Sequence, residues 1–552
     1  MRSCDAITPP VVATRQVSYH PDSTAIVRHL VNQELIASHD GRPTDCVVLD
    51  SADIASKQSL TSIAVLDSTV RLTCRGPKVI VDAVGSSDDS SSSIHRLANE
   101  LAEHVVEQSD TRLILHIDSV KESEMDERSR LKSLSTLAPL RLLAHAEVDH
   151  PHLPLIAGSF AFDYLDSIED LPPVDDGANT WPDYLFYDAA IIMVTDHTSA
   201  TISLVGASYD GDYINRRLDE LAASISSFAT ASGEQVSETV AAASAEENGE
   251  ETGSQDIIHA CPTVSNTDFE HMVTQMQAHI ADGDIYQVVP SRGFVMNCPN
   301  PMEAYAHLRA TNPSPYMFYL STPEGELFGA SPESSLLYHV PTNEVSIRPI
   351  AGTRPRGLNP DGTIDHERDT RLELELRTDN KELAEHLMLV DLARNDVARV
   401  STPGTRQVTT LLRVDRYSRV MHLVSEVTGQ LAEDLDSLDA LRASMTMGTL
   451  TGAPKISAAS LIRRYEGQRR GSYGGAVGYL RGDGELDTCI VIRSAFVRDG
   501  KALVQAGAGV VGSSQPHAEA METVHKARAV LEAIAAAQGV DLVIDKEARP
   551  CV

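Results

Sequence analysis

A polar, acidic stretch divides this 552-residue chain into two parts and limits how it can fold more than any other feature. The stretch covers residues 229–255 and contains six glutamates but few large apolar side chains. A segment of this composition cannot bury enough apolar surface to offset the entropy lost on ordering. We therefore expect an N-terminal region at residues 1–228, a flexible linker at 229–262, a second region at 263–540 and a tail at 541–552.

The charge balance excludes several classes of function. The chain has 46 Lys and Arg against 79 Asp and Glu, a formal net charge of −33, which would repel nucleic acid and anionic membrane surfaces. Residues 1–16 lack the apolar core of a secretory signal, and no apolar run is long enough to cross a bilayer. The seven cysteines are dispersed and never form a C-x-x-C pair. We expect a cytoplasmic protein with reduced thiols and no zinc site.

Strand-like and helix-like segments alternate along both parts, which predicts a mixed α/β fold. The predicted strands include residues 46–49, 69–73, 79–81, 190–194 and 202–205, and the predicted helices include 93–108, 213–228 and 516–537. No repeat of 20 to 50 residues is present, so solenoids and propellers are not expected.

Two predicted helices carry carboxylates three residues apart, Glu382 with Glu385 and Glu519 with Glu522. This spacing places each pair on one helix face. A solvated acidic face is one interpretation, since charge runs are usually exposed. Apolar residues crowd the first pair, however, and buried carboxylates need a cation. Oxygen ligands from two helices would suit Mg²⁺, which keeps waters and substrate oxygens in its remaining positions.

A glycine-rich segment, residues 507–512, matches G-x-G-x-x-G but has no second βαβ unit after it, which argues against a dinucleotide fold. Asp483-Gly484 and Asp499-Gly500 before it predict two hairpin turns. With two-residue turns, Tyr473 would lie opposite Ser494, and Arg493 opposite Ala506. A phenol, a guanidinium and backbone amides in one row could bind a carboxylate, although a solvated sheet face is the alternative.

His422 is a lone histidine between apolar residues. Such a residue is more often a hydrogen-bonded structural histidine than a proton carrier.

These features coincide, in order, with motifs of the chorismate-binding enzymes, which the chain resembles. The matching segments span residues 283–528 and are GDIYQVVPSR, NPSPYMFYL, FGASPES, RPIAGTRPRG, KELAEHLMLVDLARND, YSRVMHLVSEVTG, MGTLTGAPK, YGGAVGYL, DTCIVIRSA, QAGAGVV and HAEAMETVHKAR. Earlier in the chain, VLDSADIASKQSLTSIAVLDS and GSFAFDYLDSIEDLP resemble the N-terminal region of the large subunits of anthranilate synthases. The resemblance implies large antiparallel and mixed β-sheets that form a sandwich with flanking helices.

Two positions separate the reactions within this family. Isochorismate and salicylate synthases carry a lysine where this chain has Gln287, and aminodeoxychorismate synthases often carry one where it has Ala351. Glutamine and alanine cannot act as a base or nucleophile as lysine can. The resemblance therefore implies that ammonia is the nucleophile and that the chain is a lyase of the anthranilate synthase type, in tryptophan biosynthesis.

The resemblance also implies roles for the residues of the site. Glu385 and Glu522 would hold Mg²⁺ directly, with Glu382 and Glu519 acting through water. The residues implied for chorismate binding are Gly352, Thr353, Tyr473, Arg493, Gly507, Ala508 and Gly509. Glu333 would protonate the departing C4 hydroxyl, and His422 would assist the loss of pyruvate. Lys455 matches the family without an assigned role.

A partner and a regulator are implied as well. None of the seven cysteines lies in the G-x-C-x-G context of a glutamine amidotransferase. A separate amidotransferase subunit would supply ammonia, in a heterotetramer with two copies of each subunit. The implied tryptophan feedback site comprises Ser51, Pro315, Tyr316 and Met317. Relatives usually have glutamate where this chain has Asp50, so inhibition should survive with altered strength.

Three alternatives remain at this point. The chain could be an aminodeoxychorismate synthase, which retains the enolpyruvyl group, or an isochorismate or salicylate synthase. It could also be an inactive paralogue that senses chorismate or tryptophan. Intact Glu333, Glu385, His422 and Glu522 argue against a sensor, because binding alone does not need an acid and a histidine.

Overall fold

The computed structural model describes residues 9–52, 59–85, 88–119, 125–145, 148–242, 256–359, 363–416, 420–445 and 447–547. The N-terminal part contains the strands β1 (Val11–Val17), β2 (Ser38–His39), β3 (Arg42–Pro43), β4 (Cys46–Ala52), β5 (Ser59–Arg75), β6 (Lys78–Ala83), β7 (Val105–Gln108), β8 (Arg112–His116), β9 (Leu155–Phe160), β10 (Tyr184–Asp196) and β11 (Thr201–Ser208). Its helices are α1 (Ser23–Asn32), α2 (Asp88–Glu100), α3 (Glu127–Lys132), α4 (Ala138–Ala144) and α5 (Gly211–Ala242), with 3₁₀ turns at Ala102–His104 and Phe162–Ser167.

The second part contains the strands β12 (Ile257–Pro262), β13 (Gln287–Val288), β14 (Ser291–Asn297), β15 (Tyr316–Thr322), β16 (Gly325–Ser331), β17 (Ser334–His339), β18 (Glu344–Ile347), β19 (Ile350–Pro355), β20 (Gln407–Arg416), β21 (Val420–Gln430), β22 (Gly452–Ala453), β23 (Ala476–Arg481), β24 (Leu486–Ile490), β25 (Ser494–Arg498), β26 (Lys501–Gly507) and β27 (Asp541–Ile544). Its helices are α6 (Asn266–Asp282), α7 (Pro301–Thr311), α8 (His366–Thr378), α9 (Asn380–Val400), α10 (Ser437–Ser444), α11 (Lys455–Glu466) and α12 (Pro516–Ala536), with a 3₁₀ turn at Val340–Thr342.

Strands from both parts pair into one continuous, mainly antiparallel network. One row of pairings runs β1–β11–β10–β5–β4–β15–β16–β25–β26–β14. A second row leaves β10 through β9 and runs β9–β23–β24–β17–β18–β21, with β19 and β20 along β21. The predicted mixed α/β class and sheet sandwich with flanking helices are therefore confirmed.

The core between the layers is built by alternating strand residues of both parts. Val65 and Leu185 come from the N-terminal part, and Phe318, Val477 and Phe496 come from the second part, all in one buried apolar cluster. Inward-facing residues of facing sheets interdigitate in this way in β-sandwiches. The two parts therefore share a core and do not fold around separate ones.

Two short strands lie in segments assigned above to the linker and to the tail. β12 and β27 pair in parallel, with Ile257 opposite Asp541. In addition, α5 extends past residue 228, the predicted helix end, to Ala242. The rest of the predicted linker up to residue 255, and the last five residues of the tail, lie outside the described residues.

The predicted helix at residues 93–108 ends early, at Glu100. Residues 105–108 instead form β7, because Val105 and its neighbours pair with β8. The pairing follows the preference of β-branched residues for a pleated surface.

The cysteines differ in one respect from the prediction of reduced thiols. Cys46, Cys74, Cys298 and Cys489 are buried free thiols, as expected. Cys261 is disulfide-bonded, so the prediction is wrong there. Cys4 and Cys551 lie outside the described residues.

Over the described ranges, every helix is too short or too polar to cross a membrane.

Candidate active site

The ladder between β19 and β21 forms one wall of the candidate site. Thr353 lies opposite His422, and Thr353 Oγ1 is 2.9 Å from His422 Nδ1. Burial, with a further contribution from the nearby Arg493 guanidinium, lowers the pKa of His422 to about 4. The imidazole is therefore neutral at physiological pH, which is the form that can accept a proton.

Gly352, next to this pair, adopts a φ of +81°, which favours glycine. A Cβ at Gly352 would lie 3.2 Å from Glu382 Oε2 and 3.1 Å from Leu423 Cδ1. The absence of a side chain thus lets the strand approach the carboxylates of α9 closely.

Glu333 lies between β16 and β17 with its side chain buried. The Ile490 N–H donates to the Glu333 carbonyl at 3.0 Å, which fixes the backbone. Burial raises the pKa of Glu333 to about 8, although Arg493 and Lys526 oppose the rise. The carboxyl group is therefore mostly protonated at neutral pH and can donate a proton.

The same two cationic side chains, Arg493 and Lys526, affect the pKa values of both Glu333 and His422. Arg493 and Lys526 favour the charged carboxylate of Glu333 and disfavour the charged imidazole of His422. Glu333 and His422 therefore both lie in the positive field of these two cations, which suits an anionic substrate.

The hairpin predictions are confirmed in part. Across Asp499-Gly500 the register is as predicted, with Arg498 opposite Lys501 and Ala495 opposite Val504. Across Asp483-Gly484 the ladder is shifted by one residue, because Leu480 lies opposite Leu486. The shift reflects a loop with one more residue than predicted, in which the Gly484 N–H donates to the Arg481 carbonyl.

The predicted row of Tyr473, Arg493 and the glycine segment on three adjacent strands is wrong. β24 ends at Ile490 and β25 begins at Ser494, and the two strands pair with β17 and β16 respectively. Arg493, at φ +50°, breaks the ladder between them. The pairing partners of both segments are remote in sequence, so turn signals alone could not reveal this break.

Tyr473 and Arg493 nevertheless lie close to the glycine segment. The Gly474 N–H donates to the Val491 carbonyl at 2.9 Å, which brings the two loops together. A Cβ on Gly507 would lie 3.0 Å from the Tyr473 hydroxyl. Burial raises the pKa of Tyr473 to about 12, and Arg493 opposes the rise. The phenol is thus a neutral hydrogen-bond donor.

The glycine segment offers fewer backbone donors than predicted. The Ala508 N–H donates to the Pro290 carbonyl at 3.1 Å and is already used. A Cβ on Gly509 would lie 2.9 Å from Gln287 Nε2, so the absence of a side chain there makes room for Gln287.

The four glutamates of α9 and α12 face one another. Burial raises the pKa of Glu385, and the charges of Glu382, Glu519 and Glu522 raise it further, against the pull of Lys381. Burial also raises the pKa of Glu519, to which the Glu522 charge contributes. Such mutual destabilisation of charge shows that carboxylates from two helices converge.

Each helix start fixes the position of its carboxylates. Asp379 caps α9 by accepting from the Lys381 and Glu382 N–H groups, one turn before Glu385. α12 begins with Pro516, and Glu519 lies in its first turn.

These residues fit a divalent cation. The buried Glu385 Oε1 has no hydrogen-bond partner in the described part of the chain, and its ion pair with Lys381 Nζ is long, at 3.7 Å, so it can still accept from a donor or bind a cation. Among the described residues no group of three or more His, Cys, Asp or Glu side chains is already gathered around one point. Mg²⁺ does not require such a cage, since it binds through one or two carboxylates together with waters and substrate oxygens.

The glutamates differ in the cationic side chains that lie next to them. Glu382 accepts from Arg354 Nη1 at 2.9 Å, which leaves Glu385 as the less neutralised carboxylate of α9. Burial raises the pKa of Glu522, but Lys526, whose Nζ is 2.6 Å away, together with Arg493 and Glu519 lowers it below its usual value. Glu522 is therefore an anion at neutral pH, as a metal ligand must be.

Gln287 and Ala351, the two positions that separate the family's reactions, both lie at this site. Gln287 is buried, and its Oε1 has no hydrogen-bond partner in the described part of the chain. The Ala351 carbonyl is 3.2 Å from His386 Nδ1. Neither position supplies a base.

The four residues predicted for tryptophan binding are brought together. β4 and β15 pair antiparallel, with Asp50 opposite Met317, so Ser51 lies beside Tyr316 and Pro315. Ser51 Oγ is 2.8 Å from Thr61 Oγ1.

Three charged residues at these sites have no role assigned from the sequence. Lys526 is missed by the sequence analysis, although its position four residues after Glu522 signals a helical ion pair. Asp487 is also missed: it is partly exposed and lies beside the Tyr316 hydroxyl, its buried Oδ1 has no hydrogen-bond partner in the described part of the chain, and desolvation raises its pKa to about 6. Lys455 is paired with Asp396 at 2.8 Å.

Comparisons with known proteins agree with this geometry. The profile of the family described as chorismate binding enzyme matches residues 100–532. The chain is 46% identical to anthranilate synthase component 1 of Vibrio cholerae over 532 residues, which covers 95% of the chain and 96% of that protein. It is 44% identical to anthranilate synthase component 1 of Escherichia coli, again covering 95% and 96%.

A solved structure is also similar. The crystal structure of anthranilate synthase component I from Streptococcus pneumoniae matches with a TM-score of 0.62 at 28% identity. The match covers 85% of this chain and 92% of that one.

Proposed function

This chain belongs to the family of chorismate binding enzymes, and we propose that it is the large subunit of an anthranilate synthase. It would convert chorismate and ammonia into anthranilate, pyruvate and water, the first committed step of tryptophan synthesis. The curated relatives, at 44–46% identity over nearly the whole chain, support this assignment.

The observation that carries the proposal is that β19 contacts both Glu333 and His422, since the Ile350 N–H donates to Glu333 Oε1 at 3.5 Å and Thr353 Oγ1 is 2.9 Å from His422 Nδ1. The pKa of Glu333 is raised to about 8 and that of His422 is lowered to about 4, so both side chains are neutral at pH 7. An acid and a base at one site are what amination followed by elimination requires.

The two residues would act in sequence. Glu333 donates its proton to the C4 hydroxyl, which leaves as water while ammonia bonds to C2. His422 assists removal of the C2 proton as the C3–O bond to the enolpyruvyl group breaks, and that group leaves as pyruvate once its methylene carbon has taken up a proton. The ring becomes aromatic in this second step. Gln287 and Ala351 offer no lysine to activate water instead.

Chorismate would be held by its two carboxylates. Arg493 and the Tyr473 hydroxyl would bind the enolpyruvyl carboxylate, with the glycine segment, Gly352 and Thr353 around it. Glu385 and Glu522 would hold Mg²⁺, with Glu382 and Glu519 acting through water. When bound, Mg²⁺ neutralises the ring carboxylate and polarises the ring. Lys526 sits between Glu522 and the Gly507 carbonyl and orients both.

Ammonia would come from a partner. A relative's designation as component 1 implies a second component, and we propose a glutamine amidotransferase subunit in an assembly of two copies of each.

Tryptophan would inhibit the enzyme at Ser51 and at Pro315 to Met317. This position lies on the β4–β15 pairing, where the N-terminal part meets the second part. Asp487, beside the Tyr316 hydroxyl, would accept the ammonium group of the ligand.

Product identification tests the proposal. The purified chain is incubated with chorismate, Mg²⁺ and ¹⁵N-ammonium at alkaline pH, and the product is analysed by mass spectrometry. We expect ¹⁵N-anthranilate. An ¹⁵N-labelled product that retains the enolpyruvyl group would identify an aminodeoxychorismate synthase, and an unlabelled isomer of chorismate an isochorismate synthase. Absence of any product, with chorismate or tryptophan still bound, would identify a sensor.

A further inference from the structure

We propose that Asp163 and Asn179, in the N-terminal part, are positioning residues for the chorismate site. They hold the loop at residues 469–473, whose last residue is Tyr473. The inference rests on the proposed function, because it assigns these residues to the binding of that substrate. The motif GSFAFDYLDS, which contains Asp163, has no role in the mechanism described above.

Consecutive backbone groups of the loop bond to the N-terminal part. The Phe162 N–H donates to the Gly471 carbonyl at 2.9 Å, and the Gly471 N–H donates to Asp163 Oδ2 at 2.7 Å. The Ser472 N–H donates to Asn179 Oδ1 at 3.2 Å, and Asn179 Nδ2 donates to Ser472 Oγ at 3.0 Å. The backbone immediately before Tyr473 is thus tied at two successive residues.

The approach between the loop and Asn179 leaves no spare room. Gly471 has a φ of +61°, and a Cβ there would lie 2.2 Å from Asn179 Oδ1. Only glycine satisfies both the backbone conformation and the contact. The loop is therefore shaped to fit against the N-terminal part.

Asp163 is charged in spite of complete burial of its side chain. Burial raises its pKa to about 6, and the guanidinium groups of Arg469 and Arg463 oppose the rise. Arg463 Nη2 is 2.8 Å from Asp163 Oδ1, so one carboxylate oxygen binds α11 while the other binds the loop. A buried ion pair adds little net stability compared with apolar side chains, and its better attested use is to specify geometry.

Asp163 and Asn179 together form a clamp on the loop at residues 469–473. This clamp reaches Tyr473 through Arg470. The Arg470 guanidinium lies over the ring of Phe162 at 4.7 Å and over the ring of Tyr473 at 5.6 Å. It also donates to the Val289 carbonyl at 2.7 Å and to the Leu450 carbonyl at 2.8 Å. A displacement of the loop would therefore move the Tyr473 ring relative to the glycine segment, where the Tyr473 hydroxyl meets Gly507.

Asp163→Asn tests this inference, with Asp166→Asn as the matched control. Asp166 contacts the same arginines, Arg463 at 2.8 Å and Arg469 at 3.3 Å. Unlike Asp163, it accepts no hydrogen bond from the backbone of the loop among the described residues. We expect Asp163→Asn to raise the KM for chorismate by about 10-fold, in line with a lost hydrogen bond to a charged group. The control should change it by less than about 2-fold. The Mg²⁺ concentration for half activity should be unchanged in both.

Tyr473→Phe shows whether Asp163 acts through the phenol. In the Tyr473→Phe background, the added Asp163→Asn should raise KM much less than in the wild type, since the hydroxyl to be positioned is absent. A merely structural role would lower the active fraction, and therefore kcat, without this non-additivity. Additive effects on KM would overturn the proposal.

If circular dichroism shows that Asp163→Asn unfolds below the assay temperature, Asn179→Ala is tested in its place. Folded Asn179→Ala with an unchanged KM for chorismate would also overturn the inference. If the wild type forms no anthranilate, the proposed function fails, and the same comparison is made on chorismate binding by calorimetry. If the wild type is active and both clamp variants bind chorismate normally, the inference fails alone.

Discussion

Glu333 and His422 owe their opposite pKa shifts to the same physical cause. Burial penalises the charged form of each group, so the carboxyl group keeps its proton and the imidazole loses its own. One desolvated space therefore supplies both an acid and a base near neutral pH. Sequence motifs predicted catalytic roles for the two residues, whereas their protonation states follow only from the packing around them.

Replacement of Glu333 by glutamine should remove the alkaline limb of the pH profile. Because the pKa of Glu333 is raised to about 8, the acid form dominates below that pH and is lost above it. Wild-type kcat/KM for chorismate, with rates compared at equal free ammonia, should fall as pH rises through about 8. Glu333→Gln should be slower by about 10² to 10⁴-fold and show no such limb. A wild-type limb that persists in the variant would contradict the assignment.

His422→Ala should slow elimination of pyruvate more than amination. Amination needs the proton of Glu333, whereas elimination needs a group to assist proton removal from C2. The expected loss of anthranilate formation is about 10² to 10⁴-fold, the range for general acid–base catalysis. The aminated product that retains its enolpyruvyl group should accumulate, as detected by liquid chromatography with mass spectrometry. Recovery of unreacted chorismate alone would show that His422 acts earlier.

Ser51→Phe should weaken feedback by tryptophan. A phenyl ring at Ser51 would occupy the space beside Tyr316, and ammonia-dependent activity should remain near normal. We expect about 5- to 150-fold more tryptophan to be needed for half inhibition, the usual range of allosteric coupling. Ser199→Phe, in the exposed turn after β10, is the control. Inhibition curves for Ser51→Phe and wild type that overlay would place the tryptophan site elsewhere.

Among the helices, α9 and α12 carry the carboxylates proposed to bind Mg²⁺. Their first turns are fixed by a capping aspartate and by a proline, and these local signals can be read from the sequence. That the two helices face each other follows only from the fold.

Glu385→Gln and Glu522→Gln should each raise the Mg²⁺ concentration required for half activity by at least about 10-fold, since a metal ligand is lost. Glu532→Gln is the matched control on α12, because the Glu532 side chain is 57% exposed. A titration of activity against Mg²⁺ after treatment with EDTA gives these values. Full activity in EDTA would exclude a role for the metal.

Local sequence signals predicted the turns but not every register. Asp499-Gly500 gave the correct pairing of β25 with β26. The strand before it was predicted to be continuous, whereas Arg493 interrupts it at a positive φ. A residue other than glycine holds that conformation only because β24 and β25 pair with different strands, β17 and β16. Such a constraint is tertiary and leaves no local signal.

At the scale of the whole molecule, the two parts form one structure. β4 pairs with β15 and β9 pairs with β23, and both parts contribute to the core between the layers. The composition of the acidic segment predicted a division in the chain, but composition carries no information about strands that pair across it. A signal between the proposed tryptophan and chorismate sites would therefore pass through packed strands.

The rate of anthranilate formation by the isolated chain separates an ammonia-dependent anthranilate synthase from every alternative function. With chorismate and Mg²⁺, anthranilate fluorescence should increase when ammonium is added and pyruvate should form in equal amount. Glutamine in place of ammonium should give no increase, because the chain lacks an amidotransferase nucleophile. Glutamine-dependent turnover by the chain alone, or chorismate consumption without anthranilate, would contradict the account.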